Sequence, residues 1–458
     1  MMKEKLKIHF LGAAGTVTGS KYLIDTGDKK ILIDCGLFQG FKELRLKNWE
    51  NPPVEVSEID IVLLTHGHMD HTGYLPRLVK LGFNGLIYGT NPTLDIAEII
   101  LNDSAKIQEQ EADRANSEGY SKHSPAKPLY DLEDVEKTTP HFRTAPPSQW
   151  IQLFPDIKAR FQYNGHILGA TFIELEVNGK RFVFSGDIGR TNDLLLYPPL
   201  KPLQADVLFI ESTYGGKFHP DEEDAIPHIE KLVNETFNRG GSIFIPSFSV
   251  ERAQLMMLIF WRLRKENKIP KIQMIMDSPM GADVLKLFYN TRDWHKLSNE
   301  ECEEMCSYFT IVSSYQETME LRSDNKPKIV IAGSGMLTGG RMLNYLEKQA
   351  QNQNNTLLFV GFQSEGTRGR KLLDGEKELK VYGKVVPFNM QVENIDGLSA
   401  HADHTELMDW MSEIKEKPER IFIVHGEKES AEAVQKGIQE SYGWEAEIPQ
   451  LYNIVEID

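Results

Sequence analysis

Short apolar runs rich in β-branched residues alternate with turn signals along the first part of the chain. Leu6–Leu11, Tyr22–Asp25, Lys30–Ile33, Ile59–Leu64, Ile157–Tyr163, Ala170–Val177, Arg181–Ser185 and Ala205–Ile210 read as strands. Asn178-Gly179 joins two of them as a hairpin. Over Asn91–Ser148 the strand rhythm stops. Leu94–Glu118 carries apolar residues at helical spacing and Leu132–Lys137 adds a second helix, so the segment predicts a helical arm over a sheet edge. Asp103-Ser104 within it reads as solvated helix surface. From Ser212 to about Tyr382 strand and helix alternate. Ser242–Pro246 precedes a helix over Val250–Asn267, Ile272–Met276 one over Gly281–Thr291, and Lys328–Ala332 one over Gly340–Gln351, with a further strand at Thr356–Val360. This alternation predicts a parallel sheet flanked by helices, inserted as a separate domain into the first.

Chemistry gathers where the strands end. Thr65–Gly73 reads T-H-G-H-M-D-H-T-G and joins a strand to a helical pattern. Asp34, His66, His166, Asp187, Glu211 and His425 are each expected within a residue or two of a strand end. Strand ends along one edge of a sheet line one rim of a fold. Neutral imidazole nitrogen and carboxylate oxygen together suit zinc and similar divalent ions. Asp34 would be costly at the tip of a buried strand unless paired. It either caps a turn or holds a metal-bound histidine from behind. The small-residue stretch Gly12–Ser20 reads equally as part of the site's rim or as a plain turn.

Composition changes this picture little. A chain of 458 residues, 40% hydrophobic and 26% charged, predicts a globular protein of about two or three domains. The longest apolar run, Leu255–Trp261, cannot span a bilayer, and the N-terminus leads into a strand without a signal-peptide core. Cys35, Cys302 and Cys306 make neither a disulfide framework nor a zinc ribbon. A cytoplasmic protein without a membrane partner is therefore expected. The net charge of −16 governs long-range steering and does not exclude a local basic cleft for nucleic acid.

The motifs resemble those of a known family. H-x-H-x-D-H over His66–His71 is similar to the metal signature of the metallo-β-lactamase fold, an αββα sandwich. An α/β domain inserted into that sandwich resembles the β-CASP nucleases over essentially the whole chain. Asp34 matches the first family motif, His66, His68, Asp70 and His71 the second, His166 the third and Asp187 the fourth. Glu211, His401 and His425 match motifs A, B and C. Ile245-Pro-Ser-Phe-Ser, Met276-Asp-Ser-Pro-Met, Ala332-Gly-Ser-Gly-Met-Leu and Phe362-Gln-Ser-Glu-Gly-Thr match as well. The whole is similar to the bacterial and archaeal relatives of the endonuclease subunit of the cleavage and polyadenylation complex. On this comparison the chain is expected to lack the N-terminal RNA-binding extension of the larger archaeal forms and the C-terminal domain of RNase J.

The resemblance implies a metallo-β-lactamase domain over 1–212 and 385–458, with a β-CASP domain over 213–384. It implies two zinc ions per chain, or manganese in their place. His66, His68 and His166 would hold one; Asp70, His71 and His425 the other, with Asp187 bridging and Asp34 behind them. Catalysis would fall to Asp70, Asp187, Glu211 and His401, with His401 as proton donor to the leaving oxygen. Arg252, Ser334, Gly335 and Ser399 are phosphate-binding candidates; the loop Gly333–Gly340 reads as an anion site at a helix N-terminus, with a tight turn without ligand as the alternative. The implied activity is an RNA-processing endoribonuclease on single-stranded RNA. A DNA-processing β-CASP nuclease is the alternative, opposed by His425, since motif C in that branch usually carries a non-ligating residue. A glyoxalase II-type hydrolase is opposed by the inserted domain, and a non-hydrolytic scaffold by the intact motifs. Oligomeric state stays open, a homodimer included.

Overall fold

Each residue of Ile61–Leu64 is buried, and the alternation sorts them between two cores: Ile61 and Leu63 face one, Val62 and Leu64 the other. A strand apolar on both faces belongs in the middle of a layered fold. A computed structural model describes residues 5–457 except 120–122, 221, 249, 338, 362, 364–365 and 396. By internal packing the chain falls into two units, Met1–Thr191 with Pro198–Phe218 and His401–Asp458, and Asn192–Tyr197 with His219–Ala400.

The first unit is built on two sheets. One runs in the order Ile454–Ile457, Leu6–Phe10, Tyr22–Asp25, Lys30–Ile33, Ile61–Leu63, Leu86–Gly89, Phe142–Thr144. Its first four strands pair antiparallel and the rest parallel. The second runs Arg420–Val424, Val207–Glu211, Lys180–Phe184, Thr171–Val177, Ile157–Tyr163, Trp150–Phe154. Between the sheets lies an aromatic core in which the Phe184 and Phe209 ring centroids stand 4.3 Å apart and those of Phe10 and Phe422 5.0 Å. Leu94, Leu101 and Ala105 of the helix Asn91–Glu118 cover the outer face of the first sheet. Leu407, Trp410, Val434 and Ile438, from the helices His404–Trp410 and Lys428–Tyr442, cover the second. The architecture is the αββα sandwich.

The second unit carries a six-stranded sheet in the order Phe309–Val312, Gln273–Asp277, Lys328–Ala332, Ile243–Pro246, Thr356–Phe359, Gln391–Asn394, every pair parallel. The helix Arg252–Lys265 is buried nearly all round, as its unbroken apolar stretch requires. The strands and helices expected there appear within a residue or two of their ends. Two readings change. The region expected to be wholly helical contains the edge strand Phe142–Thr144, and Phe309–Val312 and Gln391–Asn394 extend the inserted sheet. These strands are short and at the margins, where burial on one face leaves little pattern to read. No described helix is long and apolar enough to cross a membrane.

Candidate metal centre

One rim of the first unit collects the chemistry. Asp34 and His425 directly follow their strands, Glu211 is the last residue of its own, and His66, His166 and Asp187 stand three past theirs. The expectation of a residue or two is thus widened at both ends. Asp34 at φ +56° and His425 at φ +49° turn their side chains out of strand geometry. Behind them, Cys35 N–H donates to the His71 carbonyl at 2.7 Å and Ser20 N–H to the Asp70 carbonyl at 2.9 Å. A Cβ at Gly36 would stand 1.6 Å from the Asp70 oxygen, so only glycine lets this strand end lie against the histidine turn.

His66, His68, His166 and Asp187 present donor atoms within 4.8 Å of one another, and so do Asp70, His71 and His425. His68 Nδ1 lies 3.2 Å from both His66 Nε2 and His166 Nε2. His71 Nε2 and His425 Nε2 are 3.1 Å apart, with Asp70 Oδ2 3.3 Å from the latter. Ligands about 2.0–2.1 Å from a tetrahedral ion stand about 3.4 Å from each other, so these spacings fit a shared cation. Asp187 divides its oxygens. Oδ2 is 3.5 Å from His66 Nε2 and 3.6 Å from His166 Nε2, whereas Oδ1 is 3.3 Å from His71 Nε2. Oδ1 is buried and accepts no hydrogen bond, which is costly for a carboxylate unless a cation meets it. The donor set fits two metals.

Tautomers are set from behind. Asp34 Oδ2 accepts from His71 Nδ1–H at 2.7 Å and from the Thr65 hydroxyl at 2.8 Å, while Oδ1 accepts from Thr65 N–H at 2.8 Å. Having donated its proton to Asp34, Thr65 Oγ1 accepts from His66 Nδ1–H at 3.0 Å. In the neutral tautomer each directs an Nε2 lone pair at the site. Burial would lower the His71 pKa, but Asp187 and Asp34 outweigh it and hold it well above its usual value, so a cation bound there would have to displace the proton. On the other side, Thr213 Oγ1 donates to the His425 carbonyl and lies 3.2 Å from His425 Nδ1. Burial holds the His68 pKa down at about 4 against the opposing pull of Asp70 and Asp187, and burial with His71 holds His66 well below its usual value. Both are neutral at pH 7, the form that can hold a metal. Burial would raise the Asp187 carboxyl, but His425 and His71 outweigh it and hold it well below the carboxylate range.

His401 stands beside this group with its ring 4.4 Å from that of His166. Its Nδ1 is 3.4 Å from Glu211 Oε1 and its Nε2 4.0 Å from Asp187 Oδ2. Burial lowers its pKa, but the Glu211 carboxylate, aided by Asp187, more than reverses this. Glu211 is itself fixed, accepting from Ile188 N–H at 2.6 Å and Thr213 N–H at 3.2 Å.

Residues that sequence reading passed over hold these loops together. Glu406 Oε1 accepts from the Thr191 N–H and hydroxyl at 2.8 and 2.7 Å, and Oε2 accepts from Asp403 N–H at 3.0 Å. With Ala402 N–H donating to the Ile188 carbonyl at 2.7 Å, Glu406 ties the loop after Asp187 to the loop carrying His401. The signal was available: Asp403-x-x-Glu406 has the spacing of a capping box, and forms one. Thr65 and Thr213, each next to a site residue or one removed from it, had no such signal.

Arg252, Ser334, Gly335 and Ser399 belong to the second unit. Arg252 is buried, with Nη1 donating to the Val360 carbonyl at 2.8 Å, and Nε pairing with Glu251 Oε2 at 3.7 Å without a hydrogen bond. The Gly335 carbonyl accepts from Gln363 Nε2 at 3.0 Å. In the loop around it the N–H groups of Leu337, Gly339 and Met342 are used internally, by Ser334 and Gly333. Ser399 is buried near the end of the unit. Ser249 of the motif at Ile245, Thr338 of the glycine loop, and 362, 364 and 365 of the last motif lie outside the described residues.

Residues 14–219 match the model of the metallo-beta-lactamase superfamily, 253–372 that of the Beta-Casp domain, and 385–449 that of the Zn-dependent metallo-hydrolase RNA specificity domain. Ribonuclease TTHA0252 of Thermus thermophilus is 32% identical over 444 residues, covering 94% of this chain and 95% of that protein. The chain belongs to the β-CASP ribonuclease family. It is accordingly a hydrolase of the metallo-β-lactamase superfamily with the β-CASP domain inserted. Transcription termination factor FttA of Methanocaldococcus jannaschii is 30% identical over 448 residues, 92% of this chain and 67% of that one. A crystal structure of a protein of unknown function from Enterococcus faecalis V583 shares the fold at a TM-score of 0.55 and 14% identity, covering 99% of this chain and 100% of that one.

Proposed function

We propose that this β-CASP protein is an endoribonuclease that hydrolyses phosphodiester bonds of single-stranded RNA with two zinc ions. The observation that carries the reading is the division of Asp187, one oxygen toward His66 and His166 and the other toward His71. In this reading His66, His68 and His166 would hold one ion and Asp70, His71 and His425 the other, with Asp187 placed to serve both. Bound, such ions supply Lewis acidity toward a phosphoryl group and acidify a water to a pKa of about 7. The chain's own residues do the rest. His401 gives its proton to the departing 3′ oxygen, and Glu211 keeps the imidazole charged and oriented against the opposing pull of the cations. By its sequence motifs the metallo-β-lactamase domain is taken as 1–212 with 385–458 and the β-CASP domain as 213–384, although by packing Gln391–Asn394 joins the inserted sheet and the second unit runs to Ala400. An RNA substrate is supported by the RNA specificity domain matched over 385–449 and by the ribonuclease of Thermus thermophilus. His425 among the donors supports RNA over the DNA-processing branch. The test is one purified zinc-loaded sample against labelled RNA, DNA and a thioester. RNA fragments with 5′ phosphate and 3′ hydroxyl ends are expected. A 2′,3′-cyclic phosphate, or preference for DNA or thioester, overturns the reading.

A further inference from the structure

We propose that Lys217, Phe218 and His404 form a ledge beside the metal centre on which one nucleotide of the substrate binds, its base stacked on Phe218 and a phosphate held by Lys217. This rests on the ribonuclease reading. The ledge grows out of the catalytic loops themselves: the chain leaves Glu211 through a run of turns to Lys217 and Phe218, and leaves His401 through Ala402 and Asp403 to His404. The two loops are joined, His404 N–H donating to the Lys217 carbonyl at 2.9 Å and Gly216 N–H to His404 Nδ1 at 3.2 Å. Between ledge and metal centre lies the buried ring of Tyr214, 5.8 Å from the His401 ring on one side and 5.4 Å from Lys217 Nζ on the other.

Phe218 is 67% exposed, more than any other large apolar side chain among the described residues. Its ring meets His404 edge to face at 5.8 Å, which leaves ring surface open. Single exposed apolar residues are ordinary on surfaces. This one differs in the rigidity beneath it. The Ser212 hydroxyl donates to the Val424 carbonyl at 2.9 Å, and a Cβ at Gly215 would stand 2.1 Å from the Ser430 carbonyl oxygen, so the loop lies flat on its neighbours. An aromatic face on fixed backbone, a cation one residue away and a hydrolytic centre within the same loops are what a single strand needs: stacking tolerates any base, and the ammonium meets the backbone charge.

The experiment uses the full metal-loaded chain, with Phe218→Ala, Phe218→Tyr and Lys217→Met. Each is assayed on a short single-stranded RNA and on bis(p-nitrophenyl) phosphate, a diester without a base. Phe218→Ala is expected to lower kcat/KM on RNA, relative to the small diester, by roughly 5- to 150-fold, and Phe218→Tyr to restore most of it. In a His401→Ala background, where cleavage is slow, Lys217→Met should reduce the slope of log affinity against log salt by about 0.7. An unchanged RNA-to-diester ratio in Phe218→Ala overturns the ledge, and so does an equal loss on both substrates, which would mark damage to the metal centre. A parent protein that hydrolyses the small diester but not RNA overturns the ribonuclease reading instead.

Discussion

Asp34→Asn changes one atom and should cost the protein one metal ligand. The carboxylate accepts three hydrogen bonds, from Thr65 N–H at 2.8 Å, the Thr65 hydroxyl at 2.8 Å and His71 Nδ1–H at 2.7 Å. An amide keeps one acceptor oxygen, which can still serve Thr65 N–H. Its NH₂ group then sits where Oδ2 was, a donor facing two donors. His71 can restore a hydrogen bond only by moving its proton to Nε2, the nitrogen directed at His425 and Asp187. In that tautomer it has no lone pair for a metal. Supporting groups of this kind typically contribute tenfold to hundredfold in metal affinity, about 1.4–2.7 kcal/mol. The ion held through His71 should lose most, because His66 feels Asp34 only through Thr65. Competitive chelator titration with zinc, fitted to two sites per chain, measures both affinities. Two sites within about threefold of the parent's would refute the argument that Asp34 sets the His71 tautomer.

Two further outcomes follow from the same structure. His401→Ala should keep two metals by elemental analysis and lose roughly 10²–10⁴ in kcat on RNA, and loss of a metal would make His401 a ligand rather than a proton donor. In the second unit, burial and Asp193 push the Glu251 carboxyl up to about 8 against Arg252, and its Oε1 has no hydrogen-bond partner. Its folded pKa lies above the unfolded value of about 4.3, so the fold binds the extra proton between these limits and loses stability as pH rises from about 4 to 8, by an amount on the order of several kcal/mol. Glu251→Gln should therefore melt higher than its parent at about pH 8.5, with the gap closing toward pH 5; a gap independent of pH would show that Glu251 is charged throughout.

Much of this molecule was legible because the information is local. A buried strand announces itself in consecutive residues, as Ile59–Leu64 does, and the turn that follows it carries its chemistry in consecutive residues too, as Thr65–Gly73 does. The alternation of strand and helix after Ser212 likewise announced a parallel sheet before any contact was known. Marginal strands such as Phe142–Thr144 were lost for the converse reason: with one intermediate and two exposed residues, nothing in the segment marks it as paired. What no local pattern could supply is the pairing of distant groups. His71 and His425 meet across 354 positions because Val207–Glu211 pairs with Arg420–Val424 and both sheets end on the same rim. Which oxygen of Asp187 faces which histidines, and which nitrogen of His66 and His71 is free, depend on side chains approaching within about 3 Å from separate strands. Glu406 holds Thr191 for the same reason. Residue type and spacing determine what chemistry is present; orientation is a property of packing, and only the tertiary structure decided it.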